Sequence, residues 1–127
     1  IWQNAGGGGM IRKNGEYRID IREKMMGGNG RFVVENILEP EQFYGKGRLF
    51  AKGTLAPGDS VGWHVHQADT EICYFLSGTG IVKEDDGVQT TVCAGDSNSV
   101  APGHGHEIIN TGEQDLVYIA LILFAEA

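Results

Sequence analysis

The chain has 127 residues, which suits a single domain built around one hydrophobic core. Its formal net charge is −7 and it contains no basic cluster, so no nucleic-acid partner is expected, because phosphate binding requires a basic surface. The longest apolar run, residues 116–125, covers only ten residues and is too short for a membrane-spanning helix, so no membrane partner is expected.

Residues 1–30 are predicted to stand apart from the main domain. Residues 1–9 lack a methionine and include four consecutive glycines, so we expect a remnant of expression or processing ahead of a native start at Met10. Residues 10–30 are expected to form an N-terminal extended arm. Within this arm, Tyr17, Ile19 and Ile21 alternate with charged residues, which predicts a half-buried strand over residues 17–22.

Residues 31–127 are predicted to form one β-domain of short strands separated by turns. Runs of apolar and β-branched residues recur about every 8–12 residues and are bounded by Gly, Pro or Asp, which is typical of a sandwich or barrel. Helix is expected to be a minor element at most. The predicted strands cover residues 32–38, 48–55, the segment around 64–66, 72–76, 79–84, 88–92, 97–100, 106–110 and 116–124.

The last predicted strand is apolar on both faces, and this bears on the partners of the chain. One face can line the core, while the other needs cover from a second sheet layer or from another subunit. An earlier strand has a similar apolar face that needs cover, formed by Ile72, Tyr74 and Leu76. In a chain of this size we favour the subunit, so a homodimer is predicted, with the N-terminal arm as a segment that two copies could exchange.

The cysteines indicate a cellular compartment. Cys73 and Cys93 are the only two in the chain, too few for a disulfide framework. They could still pair if they lay close together, but free thiols are compatible with a reducing environment. A cytoplasmic location is therefore the expectation.

The stretch 58–78 carries the clearest chemical signal, because His64 and His66 are separated by one residue. On a strand both imidazoles face the same side, with Cα atoms about 6–7 Å apart. Glu71 follows at the start of the returning apolar strand, near the pair. Two imidazoles and a carboxylate suit a divalent transition metal.

A second segment, residues 95–110, contains His104 and His106, and the two segments together resemble the motifs of the cupins, specifically the small single-domain members. The glycines and ligands of the first cupin motif are present without a gap: Gly58, His64, His66, Glu71 and Gly78. The second motif is matched by Gly95, Gly103, His106 and Asn110. Its proline is one position late, since Ala101 occupies the expected place and Pro102 follows.

The resemblance implies an all-β, single-domain cupin fold, the double-stranded β-helix or jelly-roll barrel. It also implies that His64, His66, Glu71 and His106 bind one divalent transition metal, with Mn or Fe favoured and Ni, Zn or Cu as alternatives. Within the adjacent pair, the motif spacing selects His106 as the ligand. His104 is then expected at the rim of the cavity.

The function expected from this resemblance is a metal-dependent enzyme acting on a small oxygen-rich molecule. The substrate would be a carboxylate, a diketone or diol, or a sugar, bound through two oxygens, and the reaction a decarboxylation, dioxygenation or isomerisation. A non-catalytic cupin that binds metal or a small ligand for sensing or storage is the alternative. The only candidate acids and bases beyond the ligands are Asp59, Asp69, Glu84 and His104.

Strand alternation and adjacency also predict which residues lie near the cavity. Trp63, Cys73, Phe75 and Ile108 are placed near its wall, although core packing explains each of them without any function and is the favoured explanation. Lys52 lies in an otherwise apolar strand, where it could hold a carboxylate or phosphate of a substrate. A lysine that extends to solvent at a sheet edge is the alternative for Lys52.

Overall fold

A computed structural model describes residues 9–125, which form ten β-strands and two short 3₁₀ turns. The predicted remnant, residues 1–9, lies outside this range except for Gly9. The turns cover Met25–Gly27 and Pro40–Phe43. The strands are β1 (Arg18–Glu23), β2 (Arg31–Asn36), β3 (Gly47–Leu55), β4 (Ser60–His66), β5 (Asp69–Ser77), β6 (Thr79–Glu84), β7 (Gln89–Cys93), β8 (Ser97–Val100), β9 (His104–Asn110) and β10 (Leu116–Phe124).

The strands form two antiparallel sheets that pack face to face. The larger sheet has the order β1-β2-β3-β10-β5-β8 and the smaller one the order β4-β9-β6-β7. The predicted all-β class is confirmed, and the two-sheet arrangement is that of a jelly-roll barrel. Residues 9–125 contain no helix that is long and apolar enough to cross a membrane.

The core lies between the two sheets and follows the two-residue period of the strands. On β10, Leu116, Tyr118, Ala120 and Ile122 are buried, while the alternate residues are half-buried on the outer face. Phe75 on β5 is also fully buried and belongs to the same cluster. The inner faces thus build one continuous core, and the outer face of β10 is apolar without being part of it.

The first strand is present close to its predicted position, but its apolar side chains point outward. Ile19 and Ile21 are about half exposed, while Asp20 and Arg22 lie on the more buried face. The reason is a hydrogen bond: the Asn36 side chain of β2 donates to Asp20 Oδ2 at 3.1 Å, which holds the carboxylate inward. The alternation in the sequence identified the strand correctly but not the direction of its faces.

The segment that follows β1 lies directly against β4, and two glycines make this approach feasible. A Cβ on Gly62 would lie 2.1 Å from the Met26 carbonyl oxygen, and one on Gly28 would lie 2.3 Å from the Ser60 carbonyl oxygen. Asn29 and Ser60 also exchange hydrogen bonds of 2.9 Å. This contact brings Met25 and Met26 over the strand that carries His64 and His66.

Candidate metal centre

Three strands bring the four predicted ligands together inside the barrel. His64 and His66 lie on β4, Glu71 on β5 and His106 on β9. His64 stands opposite His106 in the β4–β9 pairing, so two segments that are distant in sequence become direct neighbours. One donor atom from each of the four side chains lies within 4.8 Å of all the others, so the group could bind one metal ion.

The donor atoms that meet at the centre are the three Nε2 nitrogens and one oxygen of Glu71. Glu71 Oε1 is 2.8 Å from His106 Nε2, 3.0 Å from His66 Nε2 and 3.7 Å from His64 Nε2. The Nε2 atoms of His64 and His106 are 3.1 Å apart. All four donors therefore point at one small volume.

Each imidazole is oriented from behind by an oxygen that accepts a hydrogen bond from its Nδ1. The acceptors are the Gly62 carbonyl for His64 at 2.8 Å, the Asp69 carboxylate for His66 at 2.7 Å and the Asn98 amide oxygen for His106 at 2.6 Å. With Nδ1–H donating outward, loss of the Nε2 proton leaves a lone pair that faces inward. This tautomer is the one that a metal ligand requires.

The centre is buried and electrostatically suited to a cation. Burial alone would raise the pKa of Glu71, but hydrogen bonds with His106, His64 and His66 outweigh it and hold this pKa well below its usual range. The hydrogen bond with Glu71 raises the pKa of His66 despite burial, and Asp69 adds to the effect. The carboxylate thus stays ionised, and positive charge is favoured beside it. Three imidazoles and one carboxylate fit a divalent transition metal.

A cavity of about 170 Å³ opens beside this centre. Most of its wall is apolar, and it has three polar groups in addition to the candidate ligands: Arg22, Arg48 and Tyr118. Arg48 Nε donates to Asp69 Oδ2 at 2.8 Å, while the other oxygen of Asp69 accepts from His66. One carboxylate therefore positions both a metal-ligand candidate and an arginine of the cavity.

Three of the residues predicted near the cavity lie inside the barrel. Ile108 lines the cavity itself. Cys73 is fully buried beside Glu71, and its thiol has a pKa well above the usual value because of burial first and the Glu71 charge second. Phe75 is fully buried and packs on Tyr118 with ring centroids 5.2 Å apart. Cys73 and Phe75 are thus core residues behind the site.

The other three lie outside the cavity. Trp63 is 42% exposed on the outer face of β4, because it alternates with His64. Lys52 lies on the outer face of β3, where it pairs with Glu35 at 3.3 Å. His104 is at the barrel rim, largely exposed, with its Nδ1 bonded to Asp85. None of these three residues lines the metal-site cavity. The prediction that Trp63 lies near the cavity wall was therefore wrong.

The candidate acids and bases are not free groups of the cavity. Asp59 accepts a hydrogen bond from the Arg31 backbone, and Glu84 and His104 line a separate surface pocket. Asp69 is engaged by His66 and Arg48. Among residues 9–125, no carboxylate or imidazole lines the metal-site cavity apart from the ligand candidates themselves.

Sequence reasoning missed Arg22, Arg48, Tyr118 and Asn98. Tyr118 could have been found by strand alternation, since it shares the buried face of β10 with Leu116. The two arginines come from β1 and β3 and have no local signal in the sequence. Only the closing of the barrel brings them to one cavity.

Comparisons with known proteins agree with this geometry. The cupin domain profile matches residues 51–122. An oxalate-binding protein of Thermotoga maritima is 38% identical over 117 residues, which cover 92% of this chain and 96% of that protein. A crystal structure described as a predicted oxalate decarboxylase from Thermotoga maritima has a TM-score of 0.86 at 36% identity, covering 91% of this chain and 99% of that one.

A more distant structure, the polyketide cyclase RemF of Streptomyces resistomycificus, shares the fold. Its TM-score is 0.71 at 16% identity, over 92% of this chain and 81% of that one. The profile covers more than half of the chain, and the relative is similar over nearly its whole length. With the convergent histidines and glutamate, these matches show that the chain belongs to the cupin family.

Proposed function

We propose that this cupin binds a divalent transition metal through His64, His66, Glu71 and His106, and that the metal site takes a small dicarboxylic acid of the size of oxalate. The observation that carries the proposal is the convergence of four donors beside a small cavity that also contains two arginines. When bound, the metal would supply Lewis acidity and open coordination positions for oxygens of the acid.

The size of the cavity supports a small ligand. Its volume of about 170 Å³ is well below the ~300–1,000 Å³ of pockets for drug-sized molecules. At ~30 Å³ per water molecule, this volume is that of about five or six waters. A two- to four-carbon acid fits this space better than a sugar phosphate or an aromatic diketone.

The charges of the cavity support an anion. Arg22 and Arg48 both line it, and the Nη nitrogens of Arg48 make no hydrogen bond within residues 9–125. A guanidinium with free Nη nitrogens can donate two parallel hydrogen bonds to a carboxylate. Because Asp69 already holds the Nε side of Arg48, its planar end is oriented in advance.

The relatives support the same class of ligand. The protein that is 38% identical over nearly the full length is named an oxalate-binding protein. We extend this ligand to the present chain as a proposal and favour manganese or iron as the metal, with nickel, zinc and copper as alternatives that the donor set also fits.

The test is a pair of measurements on protein purified without a nickel column. Elemental mass spectrometry should find about one equivalent of a transition metal per chain. Isothermal titration calorimetry should then show oxalate binding to the metal-loaded protein and none after chelation, and oxamide, a neutral molecule of similar shape, should bind far more weakly. Oxalate binding that survives chelation unchanged would contradict the proposal.

Catalysis on the bound acid is the second candidate function. It is favoured by the neighbour at 36% identity that is described as a predicted oxalate decarboxylase. The reaction would convert oxalate and one proton into carbon dioxide and formate. Formate detected by NMR after incubation with metal-loaded protein, and absent with His106→Gln, would support it. Stable binding without formate would favour the non-catalytic alternative.

We also propose that the chain forms a homodimer and is located in the cytoplasm. The outer face of the larger sheet carries exposed apolar side chains, among them Ile19, Ile21, Tyr74 and Leu76, and an apolar patch of this kind is typical of a subunit interface.

The exposed, unpaired Cys93 supports the proposed cytoplasmic location, because free thiols persist in a reducing compartment.

A further inference from the structure

One polar group of the cavity has no role in the fold. Tyr118 is 2% exposed and lines the metal-site cavity, yet its hydroxyl makes no hydrogen bond with any side chain or backbone group of residues 9–125. Buried polar groups are almost always hydrogen-bonded, because an unpaired one loses its contact with water without compensation. Because Tyr118 lines the cavity, its unpaired hydroxyl indicates a partner that enters the cavity.

The ring of Tyr118 is held in place, so the hydroxyl does not turn away to find another partner. It stacks on Phe32 with ring centroids 5.7 Å apart and packs on Phe75 at 5.2 Å. Its strand, β10, lies between β3 and β5 in the middle of the larger sheet. A rigid ring on a central strand is a suitable support for a precisely placed donor.

The chemistry of the phenol also defines what it can do. A tyrosine hydroxyl has an ordinary pKa of about 10, so it carries its proton at neutral pH. The phenol therefore keeps its proton and is available as a hydrogen-bond donor. The complementary group on a ligand is an acceptor oxygen, and a carboxylate is the strongest such acceptor in a small organic acid.

We propose that Tyr118 is a ligand-binding residue, whose hydroxyl donates a hydrogen bond to a carboxylate oxygen of the acid that is bound at the metal centre. This inference rests on the proposed function and adds a specificity-determining contact to it. A bound metal would favour ligands with two chelating oxygens, and the arginines would favour negative charge. Tyr118 would favour ligands that place an acceptor oxygen within hydrogen-bond distance of its hydroxyl.

The variant Tyr118→Phe tests this inference, because it removes only the hydroxyl. The metal content and the denaturant stability of the variant without acid should equal those of the wild type, since no hydrogen bond within the protein is lost. The affinity of the metal-loaded variant for oxalate should fall about 10- to 100-fold, the usual loss for a hydrogen bond to a charged group. Tyr44→Phe, at an exposed tyrosine outside the cavity, is the matched control and should bind as the wild type does.

Two results would overturn the role of Tyr118 and leave the proposed function intact. One is an unchanged oxalate affinity in Tyr118→Phe. The other is a clear loss of stability in this variant without acid, which would mean that the hydroxyl has a structural partner such as Glu71 or an ordered water. Wild-type protein that takes up metal but no oxalate would instead overturn the proposed ligand, and the role of Tyr118 with it.

Discussion

Each histidine of the metal centre depends on a residue that is not itself a ligand. Asp69 is the most informative of these residues to test, because it accepts hydrogen bonds from His66 Nδ1 at 2.7 Å and from Arg48 Nε at 2.8 Å. Oxygen acceptors behind a ligand histidine fix its tautomer and orientation and strengthen it as a donor. The candidate metal site therefore extends beyond the four residues that could bind the metal.

The variant Asp69→Asn should lower metal affinity about 10- to 100-fold, because His66 would lose its charged acceptor. Competition with a metal chelator of known affinity measures this loss. Asp86→Asn, on an exposed turn where the new side chain keeps an acceptor oxygen for the Val88 amide, is the control. Equal metal affinity in Asp69→Asn and Asp86→Asn would show that the carboxylate has no such role.

The pair His104 and His106 provides a second test at the scale of single residues. His106 is fully buried with its Nε2 at the centre, whereas His104 is exposed at the rim. His106→Gln should abolish metal uptake, and His104→Gln should retain most of it, as measured by elemental mass spectrometry. The reverse outcome would mean that the second motif was aligned to the wrong histidine.

At the scale of elements, β3 and β2 meet through a glycine that makes room for an aromatic ring. A Cβ at Gly53 would lie 2.5 Å from Cε1 of Phe32, a buried ring that also lines the metal-site cavity. Gly53→Ala should therefore destabilise the protein by about 1–3 kcal/mol, as forced overpacking usually does. Urea unfolding measures this change. Thr54→Ala, on the outer face of the same strand, should change stability by less than about 0.5 kcal/mol.

The edge strand β1 should contribute to the free energy of unfolding in a pH-dependent way, through the carboxylate of Asp20. Burial would raise the pKa of this carboxyl, but hydrogen bonds from Asn36 and Arg18 hold it below the ordinary value of 3.8. The folded state thus binds fewer protons than the unfolded state. The stabilisation is present above the unfolded pKa and is lost as the pH falls through the lower folded one.

Asp20→Asn should consequently be less stable than the wild type at neutral pH, with a difference that shrinks as the pH falls from about 5 to 2. Because the Asp20 side chain is 36% exposed, solvent screening keeps the difference to no more than about 1 kcal/mol. Urea titrations at several pH values test this. A difference that grows towards acid pH would contradict the assigned direction.

At the scale of the whole molecule, the outer face of the larger sheet carries exposed apolar side chains within residues 9–125, among them Tyr74 and Leu76. Light scattering should return the mass of two chains of 13.7 kDa each at micromolar concentration. The double variant Tyr74→Glu with Leu76→Glu should shift the protein towards monomer, because charge would then face an apolar partner surface. Val88→Glu, at an exposed residue on a hairpin turn, should leave the mass unchanged.

The strand pattern of the sequence predicted much of the fold. The bounds predicted for β6, β8 and β10 agree with the structure, because turns with Gly, Asp or Pro delimit these strands locally. β9 begins at His104, two residues earlier than predicted, since its pairing with β4 extends to the rim. The outward direction of Ile19 and Ile21 could not be predicted, because strand alternation does not say which face meets the core.

The sequence by itself determined that His64 and His66 face the same side of a strand, because the two-residue side-chain period is a local property of the backbone. With the spacing of the cupin motifs it also selected Glu71 and His106. Only the tertiary structure decided that Arg22, Arg48 and Tyr118 share a cavity with them and that Asp69 and Asn98 lie behind the imidazoles. These residues meet through the pairing of distant strands and the packing of two sheets, and such contacts leave no periodic pattern along the chain.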